Sequence, residues 1–478
     1  MLDEMAWWFY AAGWLVLGVW SGAHAVMYKR DPRSATIWVF IAFTFPFLGP
    51  WLYWRFGINR IERRKLHRLR RRKHKLTPPD FGTASDGPIT ADDAIGHLAK
   101  LRKVADRVTR LPLLPGNAIH PLHNGEEAYP RMLEAIASAE HSVTLASYIF
   151  DWDEVGHDFA DALAAAAKRG VKVHTLVDGI GALGHLSRMG RRLLQSKVEV
   201  ASFFPLRFPL GRIRLNLRNH RKTLVVDGKI GFTGGMNISA RHLVERDDPD
   251  VSKDLHFQVN GPVVGELQHV FVEDWALATG KVLRGDAYSP ELSTAGSIYC
   301  RGIASGPDQN FETIHWILLA AFASAEKRIR IVTPYFIPTA SLLSAMAMAS
   351  LRGVRIELVL PSAVDHPFMR WAADAYLWQL LEHGIRIYRQ PPPFVHAKVL
   401  IVDDRWVLLG SANLDPRSFR LNFEFNVEAY DTDLAATLSR WIEQCIQASS
   451  PVTLEAIDAR PLWHRLRDGV VKLASPYL

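Results

Sequence analysis

The first regularity along the chain is an uninterrupted apolar stretch. Residues 6–27, AWWFYAAGWLVLGVWSGAHAVM, hold no charged side chain, and a helix of that length crosses a bilayer. A polar loop, Tyr28 to Ser34, leads into a second apolar stretch, residues 36–54, TIWVFIAFTFPFLGPWLYW. Pro46, Gly49 and Pro50 interrupt it. The pattern therefore predicts either a kinked span or a re-entrant segment whose freed backbone groups find protein or water. Trp and Tyr crowd the ends of both stretches, as interfacial anchors do. A cleaved secretory signal fits poorly, because Asp3 and Glu4 stand where a basic region belongs.

Beyond Pro78 a polar linker leads to folded sequence near Gly116, where helical and extended patterns alternate. The pattern predicts helix over 128–140, strand over 142–149, helix over 155–169 and strand over 171–177. The second half repeats it with helix 310–325, strand 328–336, helix 340–351 and strand 354–360. Arg169-Gly170-Val171 and Arg352-Gly353-Val354 close equivalent helices. Such alternation predicts an α/β fold with mixed, mostly parallel sheets and flanking helices. The expected organisation is 1–58 with two transmembrane or re-entrant segments (about 6–27 and 36–57), a basic juxtamembrane segment and linker over 59–115, and two related halves, 116–290 and 291–478.

Charge changes the picture only once it is located. The net charge is +8, yet residues 60–75 hold ten Lys or Arg against one acid, Glu62. The remainder therefore sums to −1, which weakens a nucleic-acid reading, since that wants basic charge spread over a folded face. The basic run is a topology determinant and solvated juxtamembrane helix, a site for anionic headgroups, or a nucleic-acid contact. Two cysteines, Cys300 and Cys445, lie far apart and argue against a disulfide framework or a thiolate metal site. Residues 203–217, FFPLRFPLGRIRLNL, mix bulky apolar residues with Arg207, Arg212 and Arg214. They read equally as a loop that dips into the membrane surface or lines an acyl channel and as an ordinary hairpin or packed loop. His174, His185 and His315 read as packing or surface histidines.

Each half carries one copy of a further pattern. His220-Arg221-Lys222-Thr223-Leu224-Val225-Val226-Asp227 and His396-Ala397-Lys398-Val399-Leu400-Ile401-Val402-Asp403 both read His-x-Lys-x4-Asp, with an apolar strand inside. Strand alternation puts His and Lys on one face. Gly234-Gly235-Met236-Asn237 and Gly410-Ser411-Ala412-Asn413 follow at identical offsets, each Asn seventeen residues after its His. Transfer at a phosphodiester needs a nucleophile, a proton donor for the leaving alkoxide and positive groups around the non-bridging oxygens. Two such triplets supply all three.

On these residues the chain resembles the phospholipase D superfamily, whose two motifs of this kind meet at a pseudo-twofold axis. Through Tyr148-Ile149-Phe150, Arg218-Asn219-His220, Thr333-Pro334-Tyr335-Phe336 and Ser411-Ala412-Asn413-Leu414-Asp415 it is similar to bacterial cardiolipin synthases. One departure is Ser252-Lys253-Asp254-Leu255-His256, where that family often has Trp-Arg before the Asp.

The resemblance implies transfer of a phosphatidyl group from one phosphatidylglycerol to another through a phospho-histidine. His220, Lys222, Asp227, His396, Lys398 and Asp403 form the implied catalytic set. His220 is the implied nucleophile and His396 the acid and base. Asn237 and Asn413 would bind phosphate, and Asp254 and Glu424 would orient the imidazoles. Asp227 and Asp403 look structural in the family, making ion pairs and turn contacts. No cofactor and no metal are expected. The expected partners are phosphatidylglycerol and other anionic lipids of a bacterial inner membrane, with a multi-pass anchor, a cytoplasmic catalytic domain and no nucleic acid. Hydrolysis, another acceptor and a non-enzymatic membrane scaffold are the competing readings.

Overall fold

A computed structural model of the protein describes residues 2–29, 32–58, 95–181, 188, 192–193, 195–204, 217–307 and 310–475. The basic run, most of 203–217 and His185 lie outside the described residues. Those described fall into two compact units, one within residues 1–74 and one within 75–478.

In the first unit, helix α1 (Leu2–Tyr28) lies against α2 (Pro32–Thr44), which is followed by the short α3 (Leu48–Leu52) and a π turn at Tyr53–Gly57. Small residues let α1 approach its neighbours closely, as packed membrane helices require. A Cβ on Gly18 or Gly22 would sit 3.3 Å from the Phe43 ring. Ser21 Oγ accepts from Trp54 Nε1 at 2.9 Å, and His24 Nδ1 lies 2.6 Å from the Tyr53 hydroxyl. Among the described residues, only Met5–Tyr28 is both long and apolar enough to cross a membrane. These residues support one span and do not support a multi-pass anchor. The thirteen residues of α2 span roughly 20 Å, short of a hydrocarbon core about 30 Å thick. The chain then breaks at Phe45–Phe47, where Pro46 offers no N–H and Phe47 takes a φ of 59°.

The second unit opens with α4 (Ala99–Thr109). The first half comprises β1 (Leu114–His123), α5 (Asn124–Ala137), β2 (Ser142–Ser147), α6 (Glu154–Lys168), β3 (Lys172–Asp178), β4 (Glu199–Phe203), β5 (Arg218–Asn219), β6 (Thr223–Val226), β7 (Ile230–Gly234), β8 (Ser252–Lys253), β9 (Leu255–Asn260) and α7 (Val263–Thr279). The second comprises β10 (Ile298–Ser305), α8 (Thr313–Ser324), β11 (Arg328–Val332), α9 (Ala340–Leu351), β12 (Arg355–Pro361), α10 (Pro367–Leu381), β13 (Arg386–Gln390), β14 (Phe394–Val395), β15 (Val399–Val402), β16 (Trp406–Gly410), α11 (Pro416–Arg420), β17 (Asn422–Tyr430) and α12 (Thr432–Gln447). The chain ends with β18 (Ser450–Val452), α13 (Leu454–Asp458) and α14 (Leu462–Lys472). The predicted helix and strand alternation is observed with ends moved by a few residues.

One continuous sheet runs β18-β13-β12-β11-β15-β16-β17-β10-β1-β9-β7-β6-β2-β3-β4. Without β18, the order is palindromic about the β10–β1 pair, so each strand has a counterpart in the other half. The sheet is mixed, as expected, but it is not mostly parallel. Along this path only β2-β3-β4 and β11-β12-β13 pair in parallel; β5, off the path, pairs in parallel with β17. The reason lies in the His-x-Lys-x4-Asp pattern itself: its Asp begins a tight turn, so the next strand runs straight back. Asp227, Asp403 and Asp404 take the positive φ values, 51°, 52° and 49°, that such turns need and short polar side chains tolerate. Strands β6 and β15 are buried throughout, which explains their unbroken apolar run.

The two motif acids bind main-chain amides at strand starts, contacts of the structural kind that the resemblance implies for them. Asp227 accepts the N–H groups of Glu140, His141 and Ser142 at 2.9, 2.7 and 2.7 Å, which fixes the start of β2. Asp403 accepts those of Glu326, Lys327 and Arg328 at 2.9, 2.8 and 2.7 Å, at the start of β11, and also meets His97 Nε2 at 2.6 Å. Each acid lies at the far end of its strand from the motif histidine, roughly 20 Å along an extended chain.

Asp227→Ala leaves three strand-end amides without their carboxylate and should cost about 3 kcal/mol of stability. Urea unfolding would show this as a lower midpoint, while turnover of the folded enzyme stays within about twofold. Lost turnover at unchanged stability would return Asp227 to the chemistry.

Candidate active site

Each motif histidine sits just before a core strand, on a short segment that leaves its own half to pair with the other. β5 pairs in parallel with β17 (Asn422↔Arg218, Phe423↔Asn219), and β14 pairs in parallel with β8 (Phe394↔Ser252, Val395↔Lys253). These ladders continue into the histidines. His220 N–H donates to Phe423 O at 2.9 Å, and His396 N–H donates to Lys253 O at 2.7 Å. The next side chain on each partner strand is an acid. Glu424 Oε2 lies 3.0 Å from His220 Nδ1, and Asp254 Oδ2 lies 2.9 Å from His396 Nδ1. Each imidazole is therefore held, main chain and ring, by the opposite half. With Nδ1 engaged on an acid, Nε2 of His220 is left to face a substrate, while Lys398 Nζ lies 2.9 and 3.1 Å from Nδ1 and Nε2 of His396.

The two carboxylates are themselves fixed. Glu424 receives Ser411 Oγ at 2.6 Å and Asn422 Nδ2 at 3.1 Å. Asp254 Oδ1 accepts Leu255 N–H at 2.8 Å. A Cβ on Gly235 would run into that carboxylate, so the second glycine of the Gly-Gly pair is sterically required. Its counterpart in the second half is Ser411, whose hydroxyl binds the matching acid instead.

The lysines lie beside the rings. Lys222 Nζ donates to His220 O at 2.8 Å and stands 5.4 Å from the Tyr148 ring centroid. Lys398 Nζ bonds His396 O and lies 3.1 Å from His396 Nε2. Tyr148 stacks edge-on to His220 at 5.3 Å, and Tyr335 to His396 at 6.3 Å. Asn237 Oδ1 accepts Ile149 N–H at 3.2 Å, whereas Asn413 Oδ1 is buried with no hydrogen-bond partner. The main chain of each Asn is pinned in matching fashion: Asn237 N–H to His242 Nε2 at 3.3 Å, Asn413 N–H to Ser418 Oγ at 3.1 Å.

Burial sets the electrostatics, because it disfavours the charged form of every group here. Burial pushes both imidazoles below their ordinary value, His396 to about 4, and the neighbouring lysines add to the effect. It also pushes Lys222 down to about 7 and Lys398 to about 8, each lysine repelling or restrained by charges from both halves. Burial works the other way on the acids, yet both end below the usual carboxylate range. Lys398 and the His396 hydrogen bond outweigh it at Asp254, and His220 with Lys222 outweighs it at Glu424. The result is two ionised acids holding two neutral imidazoles beside two lysines. That leaves the site ready to accept an anion. The imidazoles keep 13% and 12% of their surface, enough for a reacting atom to reach them.

The structure thus brings His220, Lys222, His396, Lys398, Asp254 and Glu424 into one hydrogen-bonded and electrostatically linked set. Asn237 and Asn413 stand on the loops after β7 and β16. Several supporting residues were not singled out from the sequence. Ser411 and Asn422 steady Glu424, and His242 and Ser418 pin the asparagines. The last two were discoverable, since each falls twenty-two residues after its motif histidine. Arg221 and Asn219 bind Asp274 at 2.6 and 2.9 Å and Arg218 meets Asp178 at 3.3 Å, anchoring the first motif to the core. His174 and His315 make packing contacts with Trp275 and Phe419, as expected of lone histidines.

Comparison with known proteins agrees in kind. The family described as "Cardiolipin synthase, PLD-like domain" matches residues 132–275 and 318–446, one stretch in each half. A cardiolipin synthase of Geobacillus sp. (strain WCH70) is 34% identical over 452 residues, covering 94% of this chain and 90% of that protein. The major cardiolipin synthase of Bacillus subtilis (strain 168) is 32% identical over 463 residues, with 94% and 95% covered. Among solved structures, the phosphatidylserine synthase of Haemophilus influenzae Rd KW20 shares the fold, with a TM-score of 0.63 at 19% identity over 79% of this chain and all of that one. Phospholipid-processing chemistry and membrane association come with this kinship. The chain belongs to the cardiolipin synthase family of phospholipase D-like phosphatidyltransferases.

Proposed function

We propose that this enzyme makes cardiolipin and glycerol from two molecules of phosphatidylglycerol by double displacement at phosphorus. The observation that carries the reading is the crossed pair of histidine–carboxylate contacts with a lysine beside each ring. His220 Nε2 attacks the phosphorus of the first lipid. The bond from phosphorus to the terminal glycerol oxygen breaks, and His396 gives that oxygen its proton. The phosphatidyl group then rests on His220. His396, now neutral, takes the proton from the free glycerol hydroxyl of a second phosphatidylglycerol. The resulting oxygen attacks phosphorus and displaces His220.

A neutral His396 in the empty site is a poor acid. The incoming phosphodiester changes this, because its negative charge offsets the lysine field that depresses the imidazole, and the proton enters with the substrate. Lys222 and Lys398 hold the non-bridging oxygens as charge-assisted donors, with Asn237 and Asn413 at the flanks. Asp254 and Glu424 act as positioning residues that also stabilise each imidazolium as it forms. The anchor α1 keeps the enzyme in a bacterial inner membrane where both substrates reside. The basic run at 60–75 places the catalytic unit on the cytoplasmic side by the positive-inside rule.

Purified protein supplied with phosphatidylglycerol alone should yield cardiolipin and glycerol in equal amounts by lipid and polyol chromatography, unchanged by chelator. Phosphatidic acid as the sole lipid product would sink the transferase reading in favour of hydrolysis. Acid-free quenching and peptide mapping should find the adduct on His220, and an adduct confined to His396 reverses the two roles. Asp254→Asn and Glu424→Gln should each lower kcat by about a thousandfold or more with little change in unfolding midpoint.

The lysines predict a pH dependence of anion binding. Both must be protonated to hold phosphate, so affinity is full below about 7 and falls as pH rises through about 7 and 8. Glycerophosphoglycerol, a diester whose single charge does not titrate in this range, is the suitable competitive inhibitor. Its inhibition constant should rise by about tenfold per pH unit for each lysine that loses its proton. A flat profile across that window rules out the lysine clamp.

A further inference from the structure

Helix α14 (Leu462–Lys472) is attached to the second half in reverse of what water favours. Its inward face is mainly polar, with Val471 packing against the cluster of Ile337, Met369 and Ala372. Asp468 is 1% exposed and is bound by Arg460 and, at 2.8 Å, by Arg467. Arg467 also lies 4.3 Å from the centre of the Trp371 ring, and Lys472 lies 4.2 Å from that of Tyr376, both on α10. The outward face is apolar. Leu462, Trp463, Leu466, Val470 and Leu473 are 53–77% exposed. At these spacings they form one stripe along the helix.

A stripe of this size left facing water signals a binding surface. A second copy is a poor occupant. The helix is only about 16 Å long, and five side chains fall short of the roughly 800 Å² per partner that a stable interface buries. A bilayer surface suits the stripe better. Trp463 is at its edge, as interfacial anchors are, and the exposed Arg465 flanks it, ready for anionic headgroups. We infer that α14 lies in the interface of an anionic bilayer, its stripe among the acyl chains, and holds the second half of the catalytic unit against the membrane. This is a second contact with lipid, separate from the α1 span. It rests on the proposed function only in assuming that the substrates reside in that bilayer.

The test uses the full-length protein in vesicles of phosphatidylglycerol and phosphatidylethanolamine. Leu466→Cys is labelled with an environment-sensitive fluorophore, the native Cys300 and Cys445 being buried. Lys168→Cys, exposed at the end of α6, is the reference. Lipids with a nitroxide on the acyl chain should quench the probe at 466 several times more than the probe at 168, and aqueous iodide should do the reverse. Equal quenching at the two positions overturns the inference. So does a 466 probe shielded from iodide and nitroxide alike, since a partner copy then covers the stripe. A Trp463→Glu, Leu466→Glu double variant should keep its unfolding midpoint. It should lose about tenfold in transfer from vesicle-borne donor and nothing from short-chain donor in micelles. Equal loss in both assays places the defect in the chemistry and overturns the docking role. Because the quenching needs no turnover, it still reads correctly if phosphatidylglycerol proves not to be the substrate.

Discussion

The structure depends on one constraint: neither half can orient its own histidine. His220 takes its main-chain bond from Phe423 and its ring contact from Glu424, while His396 takes both from Lys253 and Asp254. The halves must therefore be assembled before either imidazole is aimed. The palindromic sheet serves this end. The central pairing of β1 with β10 fixes the two half-sheets edge to edge, and the residue just before β9 and the third residue of β17 are the two acids, one on either side of that join. A site made this way cannot be half-formed, because loosening one crossed ladder releases a ring and exposes a buried carboxylate.

The same crossing explains the electrostatics. Burial alone would neutralise every group in the site, and it does depress both imidazoles and both lysines. The acids stay ionised because each sees a lysine and a histidine at short range. With both imidazoles neutral, the two carboxylates are balanced only while the two lysines keep protons that burial loosens. A phosphodiester brings a further negative charge to the point where those protons are held least firmly and strengthens their hold. Substrate binding and proton uptake then become one event, which reconciles a depressed His396 with the acid role proposed for it.

Much of this was legible in the sequence, for identifiable reasons. The α/β alternation, the duplicated His-x-Lys pattern and the matching asparagines are local regularities, and local regularities survive folding. The crossed partnership of the acids is not local. Asp254 and Glu424 stand 34 and 28 residues after their own motif histidines yet serve the opposite ones, and only the strand order reveals it. The balance of parallel and antiparallel pairs was misjudged because alternating helices and strands predict parallel neighbours, whereas the motif aspartates reverse the chain. Their real work is to turn the chain and anchor the strand beside it. The second apolar stretch carries its own ambiguity, a kinked span or a re-entrant segment. Composition counts apolar residues, but Pro46, Gly49 and Pro50 decide whether they form one helix.

Membrane attachment bears on the chemistry through competition for the phospho-histidine. Water is present in great excess and attacks the same phosphorus that the acceptor lipid must reach, so orientation and local concentration decide the product. The imidazoles are mostly covered, which limits bulk water, and the acceptor is itself a component of the bilayer. An enzyme held only by α1 could sample many heights above the surface, and its phospho-enzyme would meet water more often than lipid. Reversed amphipathicity in α14 supplies the remaining restraint: a helix fastened to the fold by charge and offering its apolar side to the acyl region sets the height of the half that carries His396. On this reasoning the ratio of transfer to hydrolysis is governed by docking as well as by the residues that touch phosphorus.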